Sequence, residues 1–449
     1  MASSVDGLVS GLSTSAMIAS LLQVEAAPQT RLKSKVNTAQ NVVSSYQAVN
    51  SKLVALKNAA ADVSALSTWR SIKPTSNSST VTATALGGTN TTTGSLTFDV
   101  VELAKGQSNT ARVATTGDVT TADSFTVQIG SADPITVTLT DKSAQGIADA
   151  LNKAGAGVKA SVVTTGGAQN VMQFNAAKTG TANAFTITGL EDLAMTTIAA
   201  TDAKLQVGGA DEDGGFSVTS GTNTFSGLMA GVTVTVGKKE TGVTLNVESD
   251  VSSMASRFQS LVDTANAALT EVSAQTKYDS STKVGSPLTG DFMVRQMTQS
   301  ILSTVSQGLS YDDPNFVADP GDPGKKADKI AFGSLSKFGI SLDRSGQLTF
   351  DKEKFTATYN ADPAAIKTAG IALGDSFRAV ANTQISNITS AVTGRKNSID
   401  ALTAQISNWD VRLAAKQTAL TKQYAGLETA LGKLKSQSTW LSGQIASLG

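Results

Sequence analysis

Two acidic clusters are the first places where residue types and spacing could support chemistry. Residues 211–213 read Asp-Glu-Asp, and the pair Asp312 and Asp313 is followed by Asp319 and Asp322. Carboxylates at this density could bind calcium, but neither cluster has the spaced ligands and closing glutamate of a twelve-residue calcium loop. We therefore expect solvated acidic turns and no metal site.

A glycine-rich segment at 155–160, GAGVKA, matches a relaxed form of the dinucleotide-binding fingerprint. That fingerprint has to follow a strand and open a helix, because the helix N-terminus holds the pyrophosphate. Here the segment follows a predicted helix capped by Ser143 and precedes a predicted strand. The order is inverted, so we expect no nucleotide and no other cofactor.

Composition excludes most catalytic chemistry. The 449 residues include no cysteine and no histidine, which removes thiol nucleophiles, disulfides, zinc–thiolate sites and the commonest general base. Serine–lysine pairs are scattered without a signature. The 36 basic and 36 acidic residues cancel and leave no basic stripe for nucleic acid. The sequence predicts a protein that is not an enzyme and has no nucleic-acid partner.

The sequence also predicts neither membrane insertion nor a cleaved signal peptide. No apolar run approaches the roughly 20 residues that span a bilayer. The first eleven residues lack a basic region, and the apolar run 17–24 is followed by Glu25 instead of a small-residue cleavage site.

The elements that could position any functional residue are helical at both ends of the chain. A short helix over about 14–26 is predicted to break near Pro28, and a long amphipathic helix follows. The C-terminal end has sustained heptads, which are typical of a coiled coil. The predicted N-terminal seam is Leu32, Val36, Val43, Tyr46, Leu53 and Leu56. The predicted C-terminal seam is Ile399, Ile406, Trp409, Leu413, Leu420, Tyr424, Leu427, Leu431, Leu434, Leu441, Ile445 and Leu448.

Residues from about 76 to 250 alternate or are enriched in β-branched residues, which predicts strands separated by turns. A helix follows Ser143, helical spacing returns over 252–275, and three prolines predict a loop over 310–326. Residues 339–350 are predicted to form a hairpin that turns at 344–346.

The predicted fold class is multidomain α+β, with long helical coiled-coil N- and C-terminal segments flanking inserted, mainly-β domains. We expect four parts: a terminal coiled-coil domain (1–45 and 400–449), a mainly helical domain with a hairpin (46–75 and 251–399), a β-rich domain (76–116 and 201–250) and an inserted small α/β domain (117–200).

An isolated helix with a leucine stripe is poorly stable in water, so the C-terminal seam has to be covered. The N-terminal helix and the same helix of another subunit are both candidates. An ordinary helical hairpin within one chain would have the same pattern.

Several segments, in order along the chain, resemble the flagellar filament-capping family, also called hook-associated protein 2. The N-terminal motif lies in SSVDGLVSGLST at 3–14, where the family usually has Asp in place of Ser13. Further resemblances are GSLTFDVVELAKGQ at 94–107, the strand entry at 225–236, GISLD at 339–343 with LTFD at 348–351, and the closing helix 409–441. The residues that match the N-terminal motif are Val5, Asp6, Gly7, Leu8, Gly11 and Leu12.

The resemblance implies a cap that oligomerises as a ring at the distal tip of the flagellum. It would promote folding and insertion of exported flagellin and prevent its loss to the medium. The implied location is extracellular, after type III export without a cleaved signal, with an export chaperone and a host surface as further expected partners. The alternatives are a hook–filament junction protein, a flagellin-like axial component or a surface adhesin.

Overall fold

The computed structural model describes residues 11, 13–86, 91–210, 213–313, 316–317 and 327–448. The chain divides into two compact units: residues 1–65 together with 255–449, and residues 66–254. We call them the helical unit and the β unit. The predicted fold class, α+β with long helical ends flanking inserted β domains, is confirmed.

The helices range from 4 to 86 residues in length. In chain order they are α1 (Thr14–Glu25), α2 (Ala27–Ser64), α3 (Leu66–Trp69), α4 (Ala144–Ala154), α5 (Val251–Thr276), α6 (Phe292–Ser306), α7 (Lys352–Ala361) and α8 (Pro363–Leu448).

The strands are mostly short. In chain order they are β1 (Ile72–Ser76), β2 (Val81–Ala85), β3 (Gly94–Glu102), β4 (Ser108–Ala114), β5 (Ser124–Ile129), β6 (Ile135–Thr138), β7 (Val158–Thr164), β8 (Gln169–Ala176), β9 (Phe185–Thr188), β10 (Met195–Ile198), β11 (Ala203–Val207), β12 (Phe216–Ser220), β13 (Thr224–Ser226), β14 (Val232–Val236), β15 (Glu240–Ser249), β16 (Tyr278–Asp279), β17 (Val284–Gly285), β18 (Leu309–Asp312), β19 (Lys329–Gly333), β20 (Ile340–Leu342) and β21 (Leu348–Phe350).

In the helical unit, α8 packs antiparallel on α2. A Cβ added to Gly374 would lie 2.6 Å from the Ala60 carbonyl oxygen, so the two helices approach closely there. Further along, Gln29 donates to Asp410 over 2.5 Å. Residue numbers therefore fall on α2 as they rise on α8. The apolar face of α2 is fully buried at its C-terminal end, where residues recur every three or four positions.

An aromatic cluster around Phe258 of α5 forms the rest of this core. The Phe258 ring centroid lies 5.4 Å from that of Phe338 and 4.7 Å from that of Phe355. Hairpin β20–β21 adds Phe350 to the cluster, at 6.1 Å. The hairpin predicted over 339–350 is present and turns between β20 and β21.

The predicted loop over 310–326 is wrong at its start, because Leu309–Asp312 is a strand paired with β19. Its three prolines lie outside the described residues, and the interpretation extended their loop signal too far toward Leu309, which is buried. Helices α6 and α7 were also missing from the predicted elements.

The β unit contains two separate cores. A five-stranded sheet, ordered β1-β15-β3-β11-β12, shares one core with a three-stranded sheet, β13-β14-β2. A second core joins the sheets β10-β4-β8-β7 and β6-β5-β9 with α4. We call these the sandwich and the insert. Ser143 caps α4 through the Gly146 N–H, and Gly155 ends it in the left-handed conformation.

The domain limits of the structure differ from the expected ones at two points. Strand β4 contributes Ala111 and Val113 to the insert core, so the insert begins before residue 117. Ile72 of β1 belongs to the sandwich core, although 46–75 was expected to be helical-domain chain. In both cases the strand belongs to the domain that contains the strand it pairs with. The composition of the strand does not reveal that partner.

Candidate functional site

The acidic clusters do not converge into a metal centre within the described residues. Asp312 forms an ion pair with Lys329 at 2.5 Å between β18 and β19. Asp213 is exposed in a turn, while residues 211–212, Asp319 and Asp322 lie outside the described residues.

The glycine-rich segment 155–160 connects helix to strand, as its sequence context indicated. Gly155 ends α4, and Gly157 has φ +73° with Ile129 packed where a side chain would start. Val158 then begins β7. The segment therefore reverses the chain between α4 and β7 in the insert.

The predicted N-terminal seam becomes progressively more buried along α2. Leu32 and Val36 are half-buried, whereas Val43, Tyr46, Leu53 and Leu56 are buried, the last two completely. Several of these side chains contribute to the core of the helical unit within one chain.

The predicted C-terminal seam has two different environments. Up to Tyr424 its residues are half-buried, as is Leu431. Leu427, Leu434, Leu441 and Ile445 are exposed, with relative residue accessibilities of 49%, 60%, 54% and 64%. The side chain of Leu448 lies outside the described residues. The half-buried seam residues are Ile399, Ile406, Trp409, Leu413, Leu420, Tyr424 and Leu431.

The antiparallel register of α2 and α8 explains why the C-terminal seam becomes exposed toward its end. Gln29 contacts both Asp410 and the Ile406 carbonyl, so a residue-for-residue continuation places Thr14, the start of α1, near Ala425 of α8. Helix α8 continues to Leu448. Residues 427–446, which we call the α8 tail, therefore have no described segment opposite them and expose a stripe about 27 Å long.

Helix α1 presents a second apolar face. Ile18 is buried and Leu22 is half-buried, as expected for the side that packs on a neighbour. Met17, Leu21 and Val24, spaced four and three residues apart, are exposed. The interpretation treated 14–26 only as a helix and missed this face, although the i, i+4, i+7 spacing was present in the sequence.

A hydrogen-bonded cluster lies where α2, α6 and α8 meet. Tyr46 of α2 donates its hydroxyl to Asp291, whose other carboxylate oxygen accepts from the Val294 N–H and caps α6. Burial of the phenol, that hydrogen bond and the Asp291 charge raise the pKa of Tyr46 to about 12, opposed by Arg395 of α8. A tyrosine at a seam position gave no sign of this polar role.

Of the predicted N-terminal motif, only Gly11 is described, at φ +73°. Val5, Asp6, Gly7, Leu8 and Leu12 lie outside the described residues. None of the helices in the described part of the chain is long and apolar enough to cross a membrane.

Comparison with known proteins gives a consistent result along the whole chain. Residues 200–436 match the profile of the flagellar hook-associated protein 2 C-terminus, and residues 10–107 match that of its N-terminus. The chain is 26% identical over 476 residues to flagellar hook-associated protein 2 of Escherichia coli K12, covering 98% of this chain and 97% of the relative. It is 27% identical over 285 residues to lateral flagellar hook-associated protein 2 of Vibrio parahaemolyticus, covering 60% and 57%.

A solved structure shares the fold. The crystal structure of the D1-D2-D3 domains of the flagellar cap protein FliD from Escherichia coli superposes with a TM-score of 0.56 at 25% identity. The superposition covers 80% of this chain and 99% of the solved one.

Proposed function

The chain belongs to the flagellar hook-associated protein 2 family, and from that premise we propose how it acts as a flagellar filament cap: through the exposed apolar faces of its terminal helices. Copies of the chain assemble at the distal end of the filament. The α8 tail and the outer face of α1 make the contacts that no described part of a single chain provides.

The observation that carries this proposal is the exposed stripe of the α8 tail. Each large apolar side chain that becomes buried contributes about 1.5–3 kcal/mol, so four such residues supply roughly 6–12 kcal/mol to an interface. A stripe of this size is costly to leave in water, which favours association over a solitary chain.

The role we propose is structural and not catalytic. It rests on the family and on a chain without histidine or cysteine. The cap role has four further parts within the same proposal. The chain forms a ring, lies outside the cell and is exported without a cleaved signal, and it promotes the folding and insertion of flagellin. An export chaperone and contact with a host surface stay predictions.

The family match favours the cap over the alternatives of a junction protein, a flagellin-like component or an adhesin. Deleting the gene separates these functions. We expect a deletion strain to be non-motile and to release monomeric flagellin into the medium, and the wild-type gene to reverse both effects. An adhesin mutant would swim normally and fail only to attach.

Variants of the α8 tail test the proposed surface in the same strain. Leu434→Gln with Leu441→Gln should leave the folded helical unit intact, because both side chains are exposed, yet should not restore motility. Thr429→Gln with Ser436→Gln is the matched control on exposed polar positions of the same helix. Equal motility of the two double variants would contradict the proposed role of the stripe.

A further inference from the structure

We propose that the insert binds an extended peptide segment of another protein in the groove between strand β6 and helix α4. The segment pairs antiparallel with the open edge of β6. It carries a basic residue followed, two positions later, by an acidic residue. This binding site lies within the β unit, so it is independent of the role proposed for the α8 tail.

The backbone of β6 has unpaired groups on the side that faces away from β5. In an antiparallel pair, alternate residues of an edge strand bond to the neighbouring strand and the others point outward. Leu139, which follows β6, donates its N–H to the Asp123 carbonyl over 2.9 Å, and by the register Val137 bonds in the same direction. Thr136 and Thr138 therefore point their N–H and carbonyl groups outward, where no described residue bonds to them.

Two other edge strands of the insert are covered on their outer side by a side-chain amide. Asn152 donates to the Ala160 carbonyl of β7 over 2.7 Å and accepts from the Ala160 N–H over 3.0 Å. Gln107 pairs in the same way with Phe185 of β9. An uncovered strand edge is a template on which another strand can add. Since β6 has no such amide in the described chain, its edge is available to a strand from outside.

Helix α4 forms the other wall of the groove. The groove has a volume of about 610 Å³, within the roughly 300–1,000 Å³ that is typical of ligand sites. Its α4 wall includes Gly146, Ala150 and Ala154, which recur every four positions and so lie on one helix face. Their small size leaves room for a main chain beside β6. The strand edge supplies hydrogen bonds to that main chain, and the helix supplies contacts to its side chains.

The position of α4 restricts the occupant to a single strand that has no neighbour of its own. A strand added to β6 lies about 4.8 Å from it, and the next strand of a folded sheet would lie as far beyond, on the side of α4. Every strand of the described chain already belongs to a sheet. A second copy therefore has, in its described part, only strands with a neighbour, whereas an unfolded segment of another protein has none.

The direction of α4 along the groove follows from its contact with Asp141. A Cβ added to Gly146, in the first turn of α4, would clash with the Asp141 side chain, so this turn lies at the C-terminal end of β6. Lys153 lines the groove in the last turn of α4. Helix α4 thus runs back along β6, and a peptide antiparallel to β6 runs from the Asp141 end toward Lys153.

The charged side chains of the groove determine the order of charges in the peptide. Asp149 lies one turn before Lys153, about 6 Å along the helix, which two residues of an extended chain span. Neither side chain forms an ion pair within the described residues. A basic residue opposite Asp149 and an acidic residue two positions later, opposite Lys153, complement these charges.

Two synthetic eight-residue peptides with blocked termini, TVTKTETV and TVTETKTV, test the charge order. They have the same composition and differ only in which charge comes first. Binding of each labelled peptide to the full-length protein is followed by fluorescence anisotropy. We expect TVTKTETV to bind at least tenfold more tightly at low salt, and the difference to shrink at high salt because Asp149 and Lys153 are exposed.

Two N-methylated forms of TVTKTETV test the strand pairing. An extended peptide that pairs with β6 directs alternate amides toward it. One form is methylated at the second, fourth and sixth amides, and the other at the third, fifth and seventh. We expect one form to lose affinity at least tenfold and the other to bind as tightly as the unmodified peptide.

Variants of the protein locate the binding site. Asp149→Lys with Lys153→Asp exchanges the two charges and should reverse the preference between the peptides. Lys159→Asp, at an exposed position of β7, is the control and should leave the preference unchanged. Thr138→Pro removes one outward N–H of β6, at an edge position where proline is tolerated, and should weaken binding of both peptides at least tenfold. Circular dichroism checks that each variant is folded.

Four outcomes would overturn the inference. Equal affinity for TVTKTETV and TVTETKTV would show that the protein does not distinguish the charge order. Equal affinities of the two N-methylated forms would exclude pairing along one strand edge. An unchanged preference in the Asp149→Lys, Lys153→Asp variant would place the peptide elsewhere. Binding of neither peptide, together with self-association that Thr138→Pro abolishes, would identify a second copy as the occupant.

Discussion

At the scale of single residues, side-chain amides hold strands and loops in position through paired hydrogen bonds to the backbone. The Gln107 side chain donates to the Phe185 carbonyl over 2.7 Å and accepts from the Phe185 N–H over 3.0 Å, as a neighbouring strand would. Three asparagines form the same two-bond pairing elsewhere. The pairs are Asn152 with Ala160, Asn223 with Ala104, and Asn266 with Leu348.

Gln107→Ala should destabilise the β unit. It leaves the Phe185 N–H and carbonyl, both at a buried position, without these partners, which costs about 1–3 kcal/mol for each unsatisfied group. We expect the free energy of unfolding, measured by urea titration, to fall by about 2–4 kcal/mol. Gln145→Ala, at an exposed position of α4, should change it by less than about 0.5 kcal/mol. Similar values for the two variants would contradict the role of Gln107.

Tyr46 should make stability depend on pH in the alkaline range. Its pKa is raised from 10.0 to about 12 in the folded chain, so the folded state disfavours the phenolate. The contribution of the protonated phenol is complete below pH 10 and is lost as the pH rises toward 12. We expect the difference in unfolding free energy between wild type and Tyr46→Phe to shrink across that interval. A difference that stays constant from pH 8 to 11.5 would contradict this assignment.

At the scale of elements, α8 combines two environments along one continuous helix. Its first part is buried against α2 and the aromatic core, and its tail is exposed. Gly374 lies in the first part, where an added Cβ would meet the Ala60 carbonyl oxygen at 2.6 Å and the Ser64 nitrogen at 2.7 Å. Gly394 lies further along, with no atom within 4 Å of the corresponding position.

Because the two glycines differ in their surroundings, we expect a glycine-to-alanine substitution to change stability in opposite directions at the two positions. Gly374→Ala should lower the unfolding free energy of the helical unit by about 1–3 kcal/mol, because the overpacked methyl group forces the helices apart. Gly394→Ala should raise it by about 0.5–1 kcal/mol, because alanine is the better helix former at an open position. Thermal denaturation of the two variants measures both. An increase in the unfolding free energy of both variants would show that helix propensity outweighs the close approach at Gly374.

The elements that the sequence predicted well are those with strong local signals. The heptads of α8, the capped helix after Ser143 and the hairpin near Gly339 depend on periodicity and turn residues. What the sequence could not predict depends on distant partners: the pairing of β4 with β8, the amide contacts of Gln107, and the residue at which α8 loses its cover. The residue at which α8 loses its cover depends on the register between α2 and α8. A heptad pattern by itself does not determine that register.

At the scale of the whole molecule, the two units differ in net charge. Of the 36 basic and 36 acidic residues, 11 and 16 lie in residues 66–254. The β unit is therefore net acidic, and the rest of the chain is net basic by the same amount. The excess of positive charge is thus a property of the helical unit and not of the whole protein.

The central claim is that the exposed stripe of α8 joins this cap protein to the filament. The most direct measurement is electron microscopy of purified flagellar filaments lacking caps, mixed with gold-labelled protein. We expect the wild type and the Thr429→Gln, Ser436→Gln control to label one end of each filament. The Leu434→Gln, Leu441→Gln variant should remain folded by circular dichroism and leave the ends unlabelled. End labelling by that leucine variant at the wild-type level would contradict the account.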